Sequence, residues 1–567
     1  MPSWTKRIFL AAATALSLAL VACGGGANEP QTVTSNAAPP DQQVLRMRIN
    51  GEPKSIDPGL VNFASEVSIT RQLFAGLFTY DDSLKVVPQL ASAMPTIDNG
   101  GLSKDGLTVS VKLTDAKWSD GKPVTAADFV YGMQRVLDPK TAAPFASTYY
   151  SLLGAREYNT ALGTKDAPKT PSDAQLTELK NAVGVKAQDD KTVVYTLRTA
   201  DPSFLNRLAS PAAYGVRQDI VAKFGDKWTE AGNLVGNGPF MLGEWAHEQR
   251  LVLVPNQNYF GEKAKLQRIV VNVIPEDAGA YAAYLAGDLD VVGVPAAVLR
   301  DVSSLANPVN AQLRKMPDLA TFGVFMNAGQ APFDNQKVRE AFSMAIDREA
   351  FVQGVQQGAG VVTLGWIPPG MPGYSADAGK QWAFDPAKAK KALADAGFPE
   401  GRNLPKVTYT VTSTDSNRLV GQFLQDQLKK NLNVEIALDF VDSRTFGQRF
   451  TANQYSMATV TWIAGWPYPD NFLADLFTSD GNNNHVAYKD AKFDDLMKRA
   501  ASETDDKKRL GYYDEAQKLL LSAAAVSPMY NRLSFVLVKP NVKDLMMTPV
   551  DGALRGDFNL AKVFIGQ

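Results

Sequence analysis

The side chains that most often trade protons or attack electrophiles near neutral pH are scarce in this chain of 567 residues: two histidines, His247 and His485, and one cysteine, Cys23. Glu248 follows His247, but no second histidine stands four residues on, so the paired-histidine zinc motif of metallopeptidases fails. No Gly-x-Ser-x-Gly nucleophile motif occurs. Ser119-Asp120-Gly121-Lys122 has the spacing of the Ser-x-x-Lys of serine β-lactamases, yet its companion motifs are missing and Asp-Gly before Lys-Pro reads as a tight turn. Gly236-Asn237-Gly238 lacks the lysine and hydroxyl residue of a phosphate loop and is followed by Pro239. Carboxylates abound, so a two-acid glycosidase is not excluded by motif, but no spacing supports one. The pattern favours binding over covalent chemistry and implies no cofactor and no protein-held metal.

Cys23 has a different use. It ends the run Leu20-Val21-Ala22-Cys23, with Lys6 and Arg7 upstream, an apolar stretch from Ile8 to Val21 between, and Gly24-Gly25-Gly26 after it. A charged start, an apolar run shorter than a comfortable membrane span and a small residue before the cut describe an export signal over residues 1–22. The cysteine at that place resembles the lipobox of bacterial lipoproteins, which implies acylation of Cys23 and a lipid anchor carrying palmitate. Residues 24–43, rich in Gly, Pro, Asn, Gln and Ser, cannot bury a core and read as a flexible tether after the acylated cysteine.

The elements that must position any site begin at about Val44. At 45% hydrophobic and 21% charged residues the composition is globular, and with a single cysteine stability must come from a large core rather than disulfides. A net charge of −1 leaves no electrostatic attraction for nucleic acid or an anionic bilayer. Val109, Val111 and Leu113 alternate with polar residues, as do Val407, Tyr409 and Val411, and Val434, Ile436, Leu438 and Phe440; each set predicts a strand with one buried face. Leu251–Val254 and Ile269–Ile274 are more continuously apolar, as for strands covered on both sides. Thr125 and Asp128 predict a capping box, with Phe129, Val130, Met133, Val136 and Leu137 on one helical face. Asp385-Pro386 predicts an N-cap with proline in the first turn and a stop at Gly397, and Val338, Ala341, Phe342, Ala345 and Ile346 form another helical stripe. Strands and helices mixed through the chain predict an α/β protein with more than one sheet-centred lobe.

Several segments in one order resemble a known family. They are Glu52-Pro-Lys-Ser-Ile-Asp-Pro58, Arg71-Gln-Leu-Phe-Ala-Gly-Leu77, Ala116-Lys-Trp118 through Asp128-Phe129, Lys223-Phe-Gly-Asp-Lys-Trp228 and Asn237-Gly-Pro-Phe240. Phe333 with Val338-Arg-Glu-Ala-Phe342, Lys388–Gly397 and Trp462 to Leu473 continue the series. From Met47 to the C-terminus the chain is similar to the family-5 extracellular solute-binding proteins, the oligopeptide and dipeptide receptors of ABC importers. The resemblance implies a two-lobed periplasmic-binding-protein fold with a hinge and an additional inserted domain. Lobe I would combine 44–74, 216–319 and 537–567; the insert would be 75–215 and lobe II 320–536. It also implies a monomeric, extracytoplasmic, lipid-anchored receptor that passes its solute to a permease and ATPase complex by hinge closure.

Peptide-binding members place an aspartate for the peptide's α-ammonium in the segment that corresponds to Trp462-Ile463-Ala464-Gly465-Trp466-Pro467-Tyr468-Pro469-Asp470; by that register the aspartate becomes Gly465 and a nearby arginine becomes Thr459. A buried ammonium that lacks its carboxylate costs about 3–5 kcal/mol. Asp470 is the candidate substitute. Backbone pairing along Ala320-Thr321-Phe322-Gly323-Val-Phe-Met326 would hold a peptide by strand addition. Trp366, Trp462, Trp466 and Tyr468 would suit stacking or wall packing, and the resemblance adds Ala64 and Phe145 as ligand contacts. An oligopeptide is the expected solute; a non-peptide solute such as an oligosaccharide or chelate is the alternative that Gly465 favours, and a surface hydrolase stands behind both.

Overall fold

The computed structural model describes residues 37–163, 167–479, 481 and 483–567. Cys23, the export signal and the start of the tether lie outside the described residues. The first strand, Val44–Ile49, runs parallel to Arg268–Val273, and the sheet continues antiparallel through Arg250–Pro255 to Phe240–Ala246. The expectation that Leu251–Val254 and Ile269–Ile274 are covered on both faces needs correction. Leu251, Leu253, Ile269 and Val271 are buried while Val252, Val254 and Val270 are half-buried, because this small sheet packs one face on the core.

A three-stranded antiparallel sheet (Thr108–Lys112, Thr192–Thr196, Val185–Asp189) carries the helix Ala126–Leu137. That helix starts on the expected capping box: Asp128 Oδ2 accepts from the Thr125 backbone N–H at 2.8 Å and from Trp118 Nε1 at 3.2 Å. Burial pushes the Asp128 carboxyl up despite these donors. Ser119-Asp-Gly-Lys122 is a turn, closed by Gly121 N–H on Trp118 O at 2.9 Å, with Gly121 at φ +88°. One continuous apolar core joins the two sheets, from Leu45 and Ile69 through Trp118 to Tyr195.

The largest sheet has seven strands. Its order is Val291–Gly293, Val526–Val538, Leu313–Met326, Met457–Ile463, Val407–Thr412, Ile436–Val441, with Gly360–Val362 added beside Val526–Val538. Alternation along Leu313–Met326 serves both faces: Phe322, Val324 and Met326 enter one core, Leu319 and Phe325 the other. The helix Pro386–Asp395 has Asp385 as its N-cap, accepting from Lys388 N–H at 3.0 Å, and Gly397 follows at φ +94°.

The two long strands Leu313–Met326 and Val526–Val538 link this sheet to the N-terminal sheet, since Val291–Gly293 pairs with Val536–Val538 and Asp290 accepts from the Arg46 backbone N–H at 2.7 Å. Their register breaks between Pro317 and Thr321. At the break the buried Asp318 accepts from Arg532 Nε at 2.6 Å and from Ser534 Oγ at 2.7 Å. A bulged two-stranded ribbon with paired polar groups bends more readily than a flat sheet, which suits a crossing between two rigid bodies.

Candidate functional site

Between the Ala64–Leu73 helix, the 80–211 segment and the end of the strand Met457–Ile463 lies a cavity of about 370 Å³. That size and its mixed walls suit a small organic solute. Trp462, Ile463, Gly465 and Trp466 line one side, and Phe145, Tyr80 and Arg207 the other, with Arg71 at the helix.

The loop after Ile463 is shaped by its own hydrogen bonds. Trp462 Nε1 donates to Asn471 O at 3.0 Å, and Gly465 N–H donates to Asn471 Oδ1 at 2.9 Å. Trp466 Nε1 donates to Asp470 Oδ1 at 2.8 Å. Asp470 opens the helix Asp470–Phe477, where a carboxylate is favoured by the helix dipole. Its other oxygen receives Ser203 Oγ at 2.6 Å from across the cleft, and Arg207 Nη2 stands 3.8 Å away. Arg207 in turn donates to Asp201 Oδ2 at 2.8 Å and Thr148 O at 3.2 Å and lies over the Trp466 ring at 5.1 Å. Arg71 pairs with Asp557 at 3.1 Å, stacks on Phe558 at 3.9 Å, and keeps a buried Nε without a hydrogen-bond partner among the described residues. Burial holds the Tyr80 phenol protonated, and its O–H donates to Asn206 O at 3.1 Å.

Of the side chains that the sequence suggests for ligand contact, Phe145, Trp462, Ile463, Gly465 and Trp466 meet at this cavity. Asp470 stands immediately behind them, already engaged. Others do not reach it. Trp366 is fully buried, donating Nε1 to Phe472 O at 2.9 Å, because it fills the core beneath the large sheet. Thr321 Oγ1 donates to Trp366 O at 2.9 Å and accepts from Asn531 Nδ2 at 2.8 Å; Phe322 packs on Phe351 and Tyr530. Gly323 faces the Trp366 ring so closely that a Cβ there would meet it at 2.9 Å. Thr459 is buried against the Tyr409 hydroxyl at 2.7 Å. Ala464 N–H is spent on Leu319 O at 2.9 Å. Tyr468 is buried, with its hydroxyl on Asp506 and Arg509. Ala64 is exposed in a separate depression beside Arg48 and Arg555.

Strand addition at Ala320–Met326 also needs correction, because that stretch is paired on both sides. Ala320–Met326 matches Ile463–Met457 on one edge, and Thr321–Phe325 matches Asn531–Val526 on the other. The free edge is one strand over. Met457–Ile463 pairs with Val407–Thr412 only at Met457↔Tyr409, so among the described residues no strand lies beside Val460–Ile463. With Ala464 N–H turned to Leu319, alternation turns the Thr461 and Ile463 backbone groups outward, and both residues are exposed. Sequence reading missed Arg71, Tyr80, Asn206, Arg207 and Asn471. Arg71 lies in a family-like segment, but Arg207 belongs to no motif and only the fold places it opposite Trp466.

Residues 85–484 match the model of the family described as bacterial extracellular solute-binding proteins, family 5. The chain is 30% identical to the periplasmic murein peptide-binding protein MppA of Escherichia coli over 90% of its length and 92% of the relative's. It is 28% identical to the oligopeptide-binding protein OppA of Bacillus subtilis, covering 94% of this chain and 95% of that one. The unliganded open form of MppA superposes with a TM-score of 0.79 at 28% identity, covering 94% of this chain and 98% of that one; another structure of the E. coli protein gives 0.69, covering 92% and 98%. The fold is therefore the two-lobed α/β architecture of solute-binding proteins. The chain belongs to the family-5 bacterial extracellular solute-binding proteins.

Proposed function

We propose that this protein captures oligopeptides outside the cytoplasm and delivers them to an ABC permease and its ATPase by closing about the hinge strands. The observation that carries the reading is the unpaired strand edge at Val460–Ile463 beside an aromatic cavity whose walls come from both sides of the cleft. An extended peptide on that edge would gain main-chain hydrogen bonds independent of its sequence, and Trp462, Trp466 and Phe145 would cover its side chains. Contacts from both sides make binding energy available to favour the closed population. The division into lobe I (44–74, 216–319, 537–567), insert (75–215) and lobe II (320–536) is supported by the register break at Pro317–Thr321 and by the core shared between the first two. Lobe I and insert then move as one body. Nothing in this reading needs covalent chemistry; His247, for instance, is occupied in a surface contact with Glu52 at 2.9 Å and Glu230 at 3.2 Å. Acylation of Cys23 would hold a monomeric receptor at the membrane, in keeping with the absence of a membrane-crossing helix among the described residues.

A non-peptide solute is the second reading, and Gly465 favours it: the place its side chain would occupy is faced by the Asn471 amide, not by a carboxylate. Native mass spectrometry of the protein from an exporting host, followed by denaturation, separates the two. A ladder of peptide masses is the expected result; a single non-peptide mass would overturn the peptide assignment.

A further inference from the structure

Among the described residues that line the cleft cavity, the charged ones are Arg71 and Arg207, and no carboxylate is among them. The carboxylates that balance these guanidiniums sit behind the walls and are each engaged. Asp557 takes Ser68 Oγ at 2.6 Å and Gly552 N–H at 3.0 Å besides Arg71. Asp201 takes Ser203 N–H at 3.1 Å and Arg207, and Asp470 takes Ser203 Oγ and Trp466 Nε1. A cationic group entering the cavity would have to draw one of these carboxylates from its donors. An anionic group would instead meet the guanidinium-bearing side chains of Arg71 and Arg207, the charged residues of the lining. The Trp466 face against Arg207 excludes water on one side, so charge pairing there is less screened than at the surface.

We propose that the cleft selects its solute by an anionic group, in the peptide class a carboxylate, received at Arg207 with Arg71 beside it in a lining that holds no carboxylate, and that a free ammonium is not the anchor. This rests on the receptor reading above and names which end of the solute that receptor grips. A peptide would bind through its C-terminal or side-chain carboxylate, and blocking its N-terminus would leave binding nearly intact.

The test uses the full chain in detergent and isothermal titration calorimetry with four forms of the tripeptide Ala-Phe-Ala: free, N-acetylated, C-amidated, and both. C-amidation is expected to weaken binding about tenfold to a hundredfold, as for loss of a charge-assisted hydrogen bond, and N-acetylation less than about threefold. Arg207→Gln should abolish the difference between the acid and amide forms. The unsubstituted protein decides the matter even if that variant folds poorly. Acetylation costing more than amidation, or amidation costing less than about threefold, would overturn the inference while leaving the receptor reading in place. Binding of none of the four would overturn the peptide-receptor reading and this inference with it.

Discussion

Gly465 is exposed and holds its backbone N–H on Asn471, and a Cβ built there meets nothing nearer than Asn471 Nδ2 at 3.7 Å. Gly465→Asp is therefore sterically permitted. It should leave the unfolding midpoint nearly unchanged while raising affinity for peptides with a free N-terminus over their acetylated forms by about tenfold, the value of a new charged pair in a partly buried site. Equal affinity for the two forms in the variant would show that position 465 does not face the ligand. A second residue reports on pH. Burial and the neighbouring Asp557 carboxylate push Asp551 up to about 7. Its pKa in the folded chain thus lies above that of an unfolded aspartate, so the folded state binds the proton more tightly. The associated stability is full below the unfolded value and is lost as pH rises through about 7. Asp551→Asn should flatten the fall in melting temperature between about pH 4 and 8; parallel profiles for the two proteins would contradict this. Some of this was readable from residue order alone. Trp462, Gly465 and Trp466 are legible because a short local segment carries them, whereas Trp366 and Thr459 are core residues whose burial depends on contacts far away in the chain.

Local elements were the most legible. The capping box at Thr125 and Asp128 and the proline-led helix at Pro386 are written within a few consecutive residues, so their signals need no tertiary information. Strand partners are not local. Ala320–Met326 reads as an available edge from its own residues, but the strands that flank it, Met457–Ile463 and Val526–Val538, come from far downstream in the chain. Asp128→Ala removes acceptors for Thr125 N–H and the buried Trp118 indole; it should cost about 1–3 kcal/mol in urea unfolding, by loss of the cap and one unsatisfied donor. Arg348 is buried with no ion-paired carboxylate among the described residues and donates to Pro528 O, Ser343 O and Ser527 Oγ, tying a helix to a hinge strand. Burial lowers its pKa to about 10, which still leaves it charged at neutral pH. Arg348→Met should cost about 3 kcal/mol by stranding those acceptors, measured as a shift of the urea midpoint at constant slope.

At the scale of the whole molecule, two bodies are joined through a ribbon that breaks register at Pro317–Thr321, and the cavity proposed to hold solute lies where the bodies face each other. Composition and spacing reached the α/β class; the two-lobed arrangement came from the resemblance, because a hinge is a relation between distant strands. If peptide binding closes this cleft, the distance between the two bodies must change on binding. Leu285 and Leu419 are exposed, on helices of opposite bodies, and the chain has a single native cysteine. Spin labels at Leu285→Cys and Leu419→Cys in a Cys23→Ser background would report that distance by double electron–electron resonance. Addition of a casein hydrolysate is predicted to shift the distribution to one new, narrower population. An unchanged distribution, with peptide binding verified in the same sample, would contradict closure on binding.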